Sequence, residues 1–510
     1  MKTRRPSLAA LVLVLGSSAL AACGGSYGGA SAPYDAAAMP PSQLAYATAE
    51  PMVANTEAYA DYGVNPFVDA SKDRFSTFAI DVDTASYAIS RRKLVEGALP
   101  PKEAVRVEEF VNAFDYHYDA PTDKPFAVHF AAAPSPYTPG HYLLRVALQS
   151  KKPSAQPRKA AHLVYLVDTS GSMQSADKIG LVKESLRLLT EQLKPGDTVA
   201  ICTYAGDTRE VLAPTGIDDK AKILDALDQL TAGGGTAMSS GIDTAYALAQ
   251  RTLKKGEINR VVVLSDGDAN IGPSSHEEIL SRIAQYKDQG ITLSTVGFGN
   301  GNYKDTMMEQ LADKGDGNYT YIDTQEAAHK AFVENLDAML EVVARDVKVQ
   351  VELDPSVVKQ YRLIGYENRD VADKDFRNDK VDGGEVGTGH SVTAMYDLEL
   401  TDRAKGKGLA SVHVRYKSPD GGQASELAFA MEPNAVFSDL SAAPRSFRLA
   451  TAITGFAETL RESPHAGGLD VTLAIAEKAS DQSKEETELV ALIEKAIALG
   501  AKRAPVAVAR

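Results

Sequence analysis

The sequence predicts an α/β protein in which a doubly wound, mostly parallel sheet is inserted in an antiparallel β-sandwich-like domain, with flanking helical segments. Three observations predict it. Between about residues 160 and 345, apolar strand runs alternate with amphipathic helical runs; segments of period two lie on either side of that stretch; after about residue 440 the apolar spacing is helical. The chain of 510 residues, 44% hydrophobic and 24% charged, has length enough for about three domains of roughly 150 residues.

In chain order, Lys2, Arg4 and Arg5 precede an apolar run over 8–20. That run falls short of the about 20 residues a membrane span needs and has the length of a signal-peptide core. It ends in Leu20-Ala21-Ala22-Cys23, which resembles the lipobox of bacterial lipoproteins. The resemblance implies that residues 1–23 are a signal peptide and that the Cys23 thiol takes a diacylglycerol. Further acylation of the new amino terminus would supply the second signal that stable membrane anchoring needs. Gly24 after the cysteine, where Asp is absent, favours the outer membrane by the same resemblance, facing periplasm or cell surface. Residues 24–66, rich in Gly, Ala, Ser, Pro and Tyr, read as a disordered tether with a root-mean-square span of roughly 35 Å.

Residues 67–158 read as a helical and β region. A strand over 75–80 leads to Asp83-Thr84, suited to cap a helix through Tyr87 and Leu94, and a second helix carries Val107, Phe110, Val111 and Phe114. Asp81 and Asp83 are turn and cap residues in this reading, because no further acids follow at calcium-loop spacing. Phe126, Val128 and Phe130 alternate, as do Tyr142, Leu144, Val146 and Leu148, which places His129 and Arg145 on a solvated face. Residues 346–432 show the same period, with Val347, Val349, Val351 and Leu353 alternating and the turn Pro419-Asp420-Gly421-Gly422 before Leu427. They are expected to pair with 125–158, and residues 433–510 to add packing helices.

The insert, residues 159–345, carries strands at 163–167, 197–204, 259–264 and 291–298 and helices at 178–193, 238–254, 276–289 and 325–342. Ligands of such sheets bind at the carboxyl ends of the strands. There the sequence offers Asp168-Thr169-Ser170-Gly171-Ser172 after one buried run, Gly233-Gly234-Gly235-Thr236 before a helix, and Ser265-Asp266-Gly267-Asp268 after another run. Oxygen donors without sulfur or imidazole suit Mg²⁺ or Mn²⁺.

Asp168-x-Ser170-x-Ser172 with Thr236 and Asp266 resembles the metal-ion-dependent adhesion site of von Willebrand factor type A (VWA) domains. The resemblance spans the whole insert, and implies that Ser170, Ser172 and Thr236 bind the ion directly while Asp168 and Asp266 act largely through water. It further implies an open coordination position for an Asp or Glu of a partner protein. Asp268 reads as a loop residue or one standing behind the direct ligands. Phe78 to Tyr87, Val105 to Glu109 and Gly389 to Ala394 are similar to blocks of YfbK-like bacterial VWA lipoproteins, extending the likeness over nearly the whole mature chain.

Several classes of function lose ground. Lys plus Arg number 54 against 68 Asp plus Glu, and a net charge of −14 repels nucleic acid. Two cysteines, Cys23 and Cys202, give no disulfide framework, and Cys202 reads as a buried core thiol. Nine histidines lack the paired spacing of a zinc site. The glycine loop is followed by no Gly-Lys-Ser/Thr, so it is no nucleotide loop. A hydrolase built on Ser170 or Ser172 lacks a base, since His162 lies about 20 Å away at the opposite end of its strand. The expectation is a non-enzymatic, lipid-anchored, metal-dependent interaction module of the cell envelope; the alternative is a structural envelope protein with a stabilising metal.

Overall fold

The computed structural model describes residues 57–80, 82–153, 158–235, 237–267, 276–299, 304–419 and 421–501. Cys23, Asp81, Thr236, Asp268 and Asp420 lie outside the described residues.

Six strands form the sheet that carries the site, in the order Tyr319–Ile322, Thr292–Phe298, Ile258–Ser265, Ala161–Asp168, Thr198–Tyr204, Thr208–Gly216. All neighbours run parallel except the last edge strand, which is antiparallel. The central strand Ala161–Asp168 is buried along its whole length. Leu163, Tyr165 and Val167 pack beneath the helix Leu181–Glu191, while Val164 and Leu166 meet Met238, Ile242 and Tyr246 of the helix Met238–Thr252. Alternate residues thus feed two separate cores, as a sheet covered on both faces requires. Each large aliphatic side chain so buried contributes roughly 1.5–3 kcal/mol.

The expected helix over 325–342 is instead three short segments. Gln325–His329 and Lys330–Glu334 are followed by a break at Asn335, then Leu336–Leu340, and a strand begins at Val342. That strand, Val342–Leu353, belongs to a second sheet with Gly384–Gly387, Ala410–Lys417 and Ser425–Ala430, and Phe75–Ala79 pairs with it as well. A third sheet orders Val68–Asp69, Val358–Ile364, Ser391–Leu400, His141–Ser150 and Phe126–Pro134. Val146 and Leu148 of this sheet and Val347, Val349 and Val351 of the second share one core. Residues before and after the insert therefore build the two sheets together.

Two expectations fail in this region. Arg145 is not on a solvated face: it is 3% exposed, because the helix Arg445–Leu460 and the segment around Tyr118 cover that side of the strand. Asp83 is not a capping residue, since its carboxylate accepts from the Tyr319 N–H at 2.9 Å and pairs with Arg369. Thr84 holds the N-cap position of Ala85–Val95 without a side-chain cap bond.

The helix Arg445–Leu460 is buried on nearly every side and packs with Leu469–Ala479 and Lys484–Ala498. Its buried threonines are satisfied internally, with Thr451, Thr454 and Thr459 each donating to the carbonyl four residues back. Among the described residues no helix is long and apolar enough to cross a membrane.

Candidate metal centre

Register places the site. Asp168 is the last residue of its strand and lies opposite Tyr204 at the end of the next, while on the other side Val167 faces Leu264, one residue before Ser265. Three loops thus leave the sheet at one edge.

Asp168 is fully buried, and every oxygen is engaged. Oδ1 accepts the Ser170 N–H at 2.9 Å; Oδ2 accepts the Tyr204 hydroxyl at 3.0 Å and the Ser265 hydroxyl at 2.8 Å. Burial raises its pKa above the usual carboxylate value, the bonds from Ser170 and Ser265 oppose that rise, and the nearby charge of Asp266 adds to it. Tyr204 in turn is driven well above its ordinary value by burial and by Asp168. The Ser265 hydroxyl also accepts the Gly267 N–H at 3.0 Å within its own loop, while its bond to Asp168 ties the two strand ends together.

The hydroxyls of Ser170 and Ser172 are hydrogen-bonded to each other at 2.9 Å, Ser170 buried and Ser172 half-buried. Beside them the glycine loop is fixed by backbone bonds, Gly171 N–H to the Gly234 carbonyl at 3.0 Å and Gly233 N–H to that of Thr169 at 2.8 Å. Gly234 has a φ of +100°, a conformation that favours glycine, and a side chain at Gly171 would press on the Gly234 carbonyl at 3.3 Å. Gly233, Gly234 and Gly235 are exposed, so the hydroxyl pair lies at the solvent boundary above the two buried carboxylates. Thr236, which follows that loop, is outside the described residues.

Asp266 is fully buried and receives the Lys178 ammonium at 2.9 Å. Lys178 belongs to a π-turn, Ala176–Gly180, and passes across Gly299, whose φ of +73° and missing side chain leave room for it. Lys178, Tyr204 and Ser265 contact the two carboxylates, and the sequence reading gives none of them a role. For Tyr204 and Ser265 a signal existed, namely their place at the ends of strands flanking Asp168. For Lys178 none did, since contact across 88 positions is set by the fold.

A Mg²⁺ ion binds oxygens at about 2.0–2.1 Å, so adjacent ligands of its octahedron lie about 2.9 Å apart. The Ser170–Ser172 separation fits that edge, and hydroxyls with second-row carboxylates form a hard, low-charge donor set. Among the described residues no three His, Cys, Asp or Glu side chains cluster as a metal centre, so any ion here depends on the hydroxyls. Elsewhere, His162 is engaged at the far end of its strand with Thr198 and Glu257, and Cys202 is a buried free thiol pushed by burial up to about 12.

Comparison with known proteins agrees with this architecture. Residues 162–335 match the von Willebrand factor type A domain model, 53–145 the von Willebrand factor model, and 338–499 the model of the YfbK C-terminal region. The uncharacterized YfbK protein of Escherichia coli (strain K12) is 37% identical over 436 residues, covering 80% of this chain and 75% of that protein. A Synechocystis protein, sll0103, is 24% identical over 290 residues, covering 56% of this chain and 68% of its own. Among solved structures, a von Willebrand factor type A protein from Catenulispora acidiphila aligns with a TM-score of 0.42 at 18% identity, over 75% of this chain and 91% of that one. With one relative 37% identical along four-fifths of this chain and family models covering both the insert and its flanks, the chain belongs to the YfbK family of von Willebrand factor type A domain proteins.

Proposed function

We propose that the VWA domain holds a divalent cation, Mg²⁺ or Mn²⁺, and presents it to an Asp or Glu of a partner protein. VWA domains are commonly protein-interaction modules and are generally not enzymes. Ser170, Ser172 and Thr236 would bind the ion, with Asp168 and Asp266 acting through water. Neutral direct ligands leave the ion most of its positive charge, which is what attracts an incoming carboxylate. The observation that carries this reading is the hydroxyl pair, 2.9 Å apart at the solvent boundary over a buried Asp168.

The alternative, an ion that merely staples the fold, has less support. Asp168 is already satisfied by three donors and Asp266 by Lys178, so neither carboxylate needs a metal to be buried. In the same proposal Cys23 carries lipid and anchors the chain in the cell envelope, at the outer membrane, which the sequence around Cys23 supports.

The test is thermal unfolding of wild type and Asp168→Ala with Mg²⁺ and with chelator. At a hundredfold excess over Kd, the ion stabilises by about 2.7 kcal/mol. A shift in wild type that Asp168→Ala loses supports the site; a wild type indifferent to the ion overturns it. Capture of envelope proteins with and without chelator then separates adhesion from a stapling ion.

A further inference from the structure

Between the sheet strands Phe126–Pro134 and His141–Ser150 and the start of the helix Arg445–Leu460 lies a cavity of about 570 Å³, with Arg145 in its wall. We propose that this cavity binds a monocarboxylate carried on an apolar or aromatic body, with Arg145 as the residue that holds the carboxylate. The proposal is independent of the metal centre, which stands on another sheet.

Arg145 carries the argument. It is 3% exposed, its Nη1 donates to the Ser446 hydroxyl at 2.9 Å, and its guanidinium carbon lies 4.8 Å from the Tyr118 ring centre. Its Nε is sealed from solvent without a hydrogen-bond partner, Tyr118 hydrogen-bonds the rest of the guanidinium, and among the described residues no carboxylate is ion-paired with it. A guanidinium cannot shed its proton to escape burial, so an unpaired buried one is several kcal/mol worse than a paired one. What the group lacks is an anion, and the fork of an arginine matches a carboxylate.

A second positive feature faces the same space. The helix Arg445–Leu460 begins there with Pro444 and Ser446 in the lining; its N-cap, Pro444, supplies no side-chain cap, and its first turn holds no acidic residue. The Phe447 and Arg448 N–H groups turn back to the Pro444 carbonyl, but the dipole of a 16-residue helix still favours negative charge at that end.

The remaining walls select the rest of the ligand. Val128, Phe130 and Phe429 are apolar, and the Tyr118 and His129 rings stack at 5.4 Å with an interplanar angle of 13°. Exposed Asp119 and Glu432 also line the cavity, and their charges oppose a dianion such as phosphate more than a single carboxylate. The volume is that of a pocket for a small molecule or for one terminal residue of a peptide.

The experiment titrates the full chain calorimetrically with 3-phenylpropanoate, N-acetylphenylalanine, the neutral amide 3-phenylpropanamide and inorganic phosphate. Saturable binding of an acid, with the amide at least about tenfold weaker and phosphate weaker still, supports the site. Tighter binding of N-acetylphenylalanine points to a peptide C-terminus; tighter binding of 3-phenylpropanoate points to a free acid. Arg145→Met, if its melting is unchanged, is expected to lose acid binding. Where that variant does not fold, the acid-to-amide ratio in wild type decides. Equal affinities for acid and amide, no saturation by either acid up to about 10 mM, or full binding by a folded Arg145→Met overturns the proposal.

Discussion

The ammonium of Lys178 rests 2.9 Å from Oδ2 of Asp266, and both residues are buried at the carboxyl edge of the sheet. A divalent ion at the proposed centre would meet a positive charge already in place at Asp266 and would compete with the lysine for that carboxylate. In Lys178→Met the buried carboxylate loses that ammonium, at an expected cost of about 3 kcal/mol in the presence of chelator. Mg²⁺ should then recover more stability in the variant than it adds to wild type. Thermal unfolding of both proteins with and without the ion checks this; equal stabilities in chelator would show the pair carries little.

Tyr204 and Ser265 both donate to one oxygen of Asp168. Tyr204 is fully buried, and phenylalanine fills the same volume without the donor. Tyr204→Phe is expected to lose about 1.5–3 kcal/mol, the range for a hydrogen bond to a charged group. It should also weaken ion binding, because Asp168 would become harder to keep ionised. Denaturant titration measures the first effect and an ion titration followed by melting temperature the second. A folded variant with unchanged ion dependence would remove Tyr204 from the site.

Much of the central sheet was legible because a strand buried on both faces is a continuous apolar run. The run 163–167 became Ala161–Asp168, and 259–264 became Ile258–Ser265. The edge strand Thr208–Gly216 and the helix Lys220–Asp228 were not read, since their exposed sides dilute the apolar pattern, nor was the helix Asp305–Lys314, whose buried face includes the acids Asp305 and Glu309. Alternation in 142–148 reported one apolar face correctly, yet could not show that a helical layer covers the polar one, which is why Arg145 was misplaced. At the candidate centre the short motifs at strand ends were readable. The long-range contacts of Lys178 were not, because no local pattern encodes a partner 88 positions away.

Burial pushes the His390 imidazole down to about 4, and its Nδ1 has no hydrogen-bond partner. Its unfolded value is near 6.5, so between those pH values the unfolded chain binds more protons than the folded one. Stability contributed by this residue is therefore intact above about pH 6.5 and falls as pH drops toward 4, by at most about 3 kcal/mol. His390→Gln should flatten that part of the stability-versus-pH curve. Urea unfolding at several pH values, on both proteins, makes the comparison; an unchanged slope in the variant would place the acid sensitivity elsewhere.

Arg106 joins the segment before the sandwich to the VWA domain. Its guanidinium bonds Glu109 three residues on and Asp305 at the start of the helix Asp305–Lys314, and all three side chains are buried. Burial works against the charge on Arg106, but Asp305 and Glu109 outweigh it and hold the pKa well above the ordinary arginine value. Removing the cation alone strands two carboxylates, so Arg106→Met is expected to cost about 3–5 kcal/mol. Replacing Asp305 as well, in Arg106→Met with Asp305→Leu, removes one stranded charge and should restore part of that loss. Chemical denaturation of the single and double variants gives the coupling directly. A double variant less stable than the sum of the singles would mean that Asp305 has another partner of equal weight, such as the Tyr319 hydroxyl that donates to its Oδ1 at 2.6 Å.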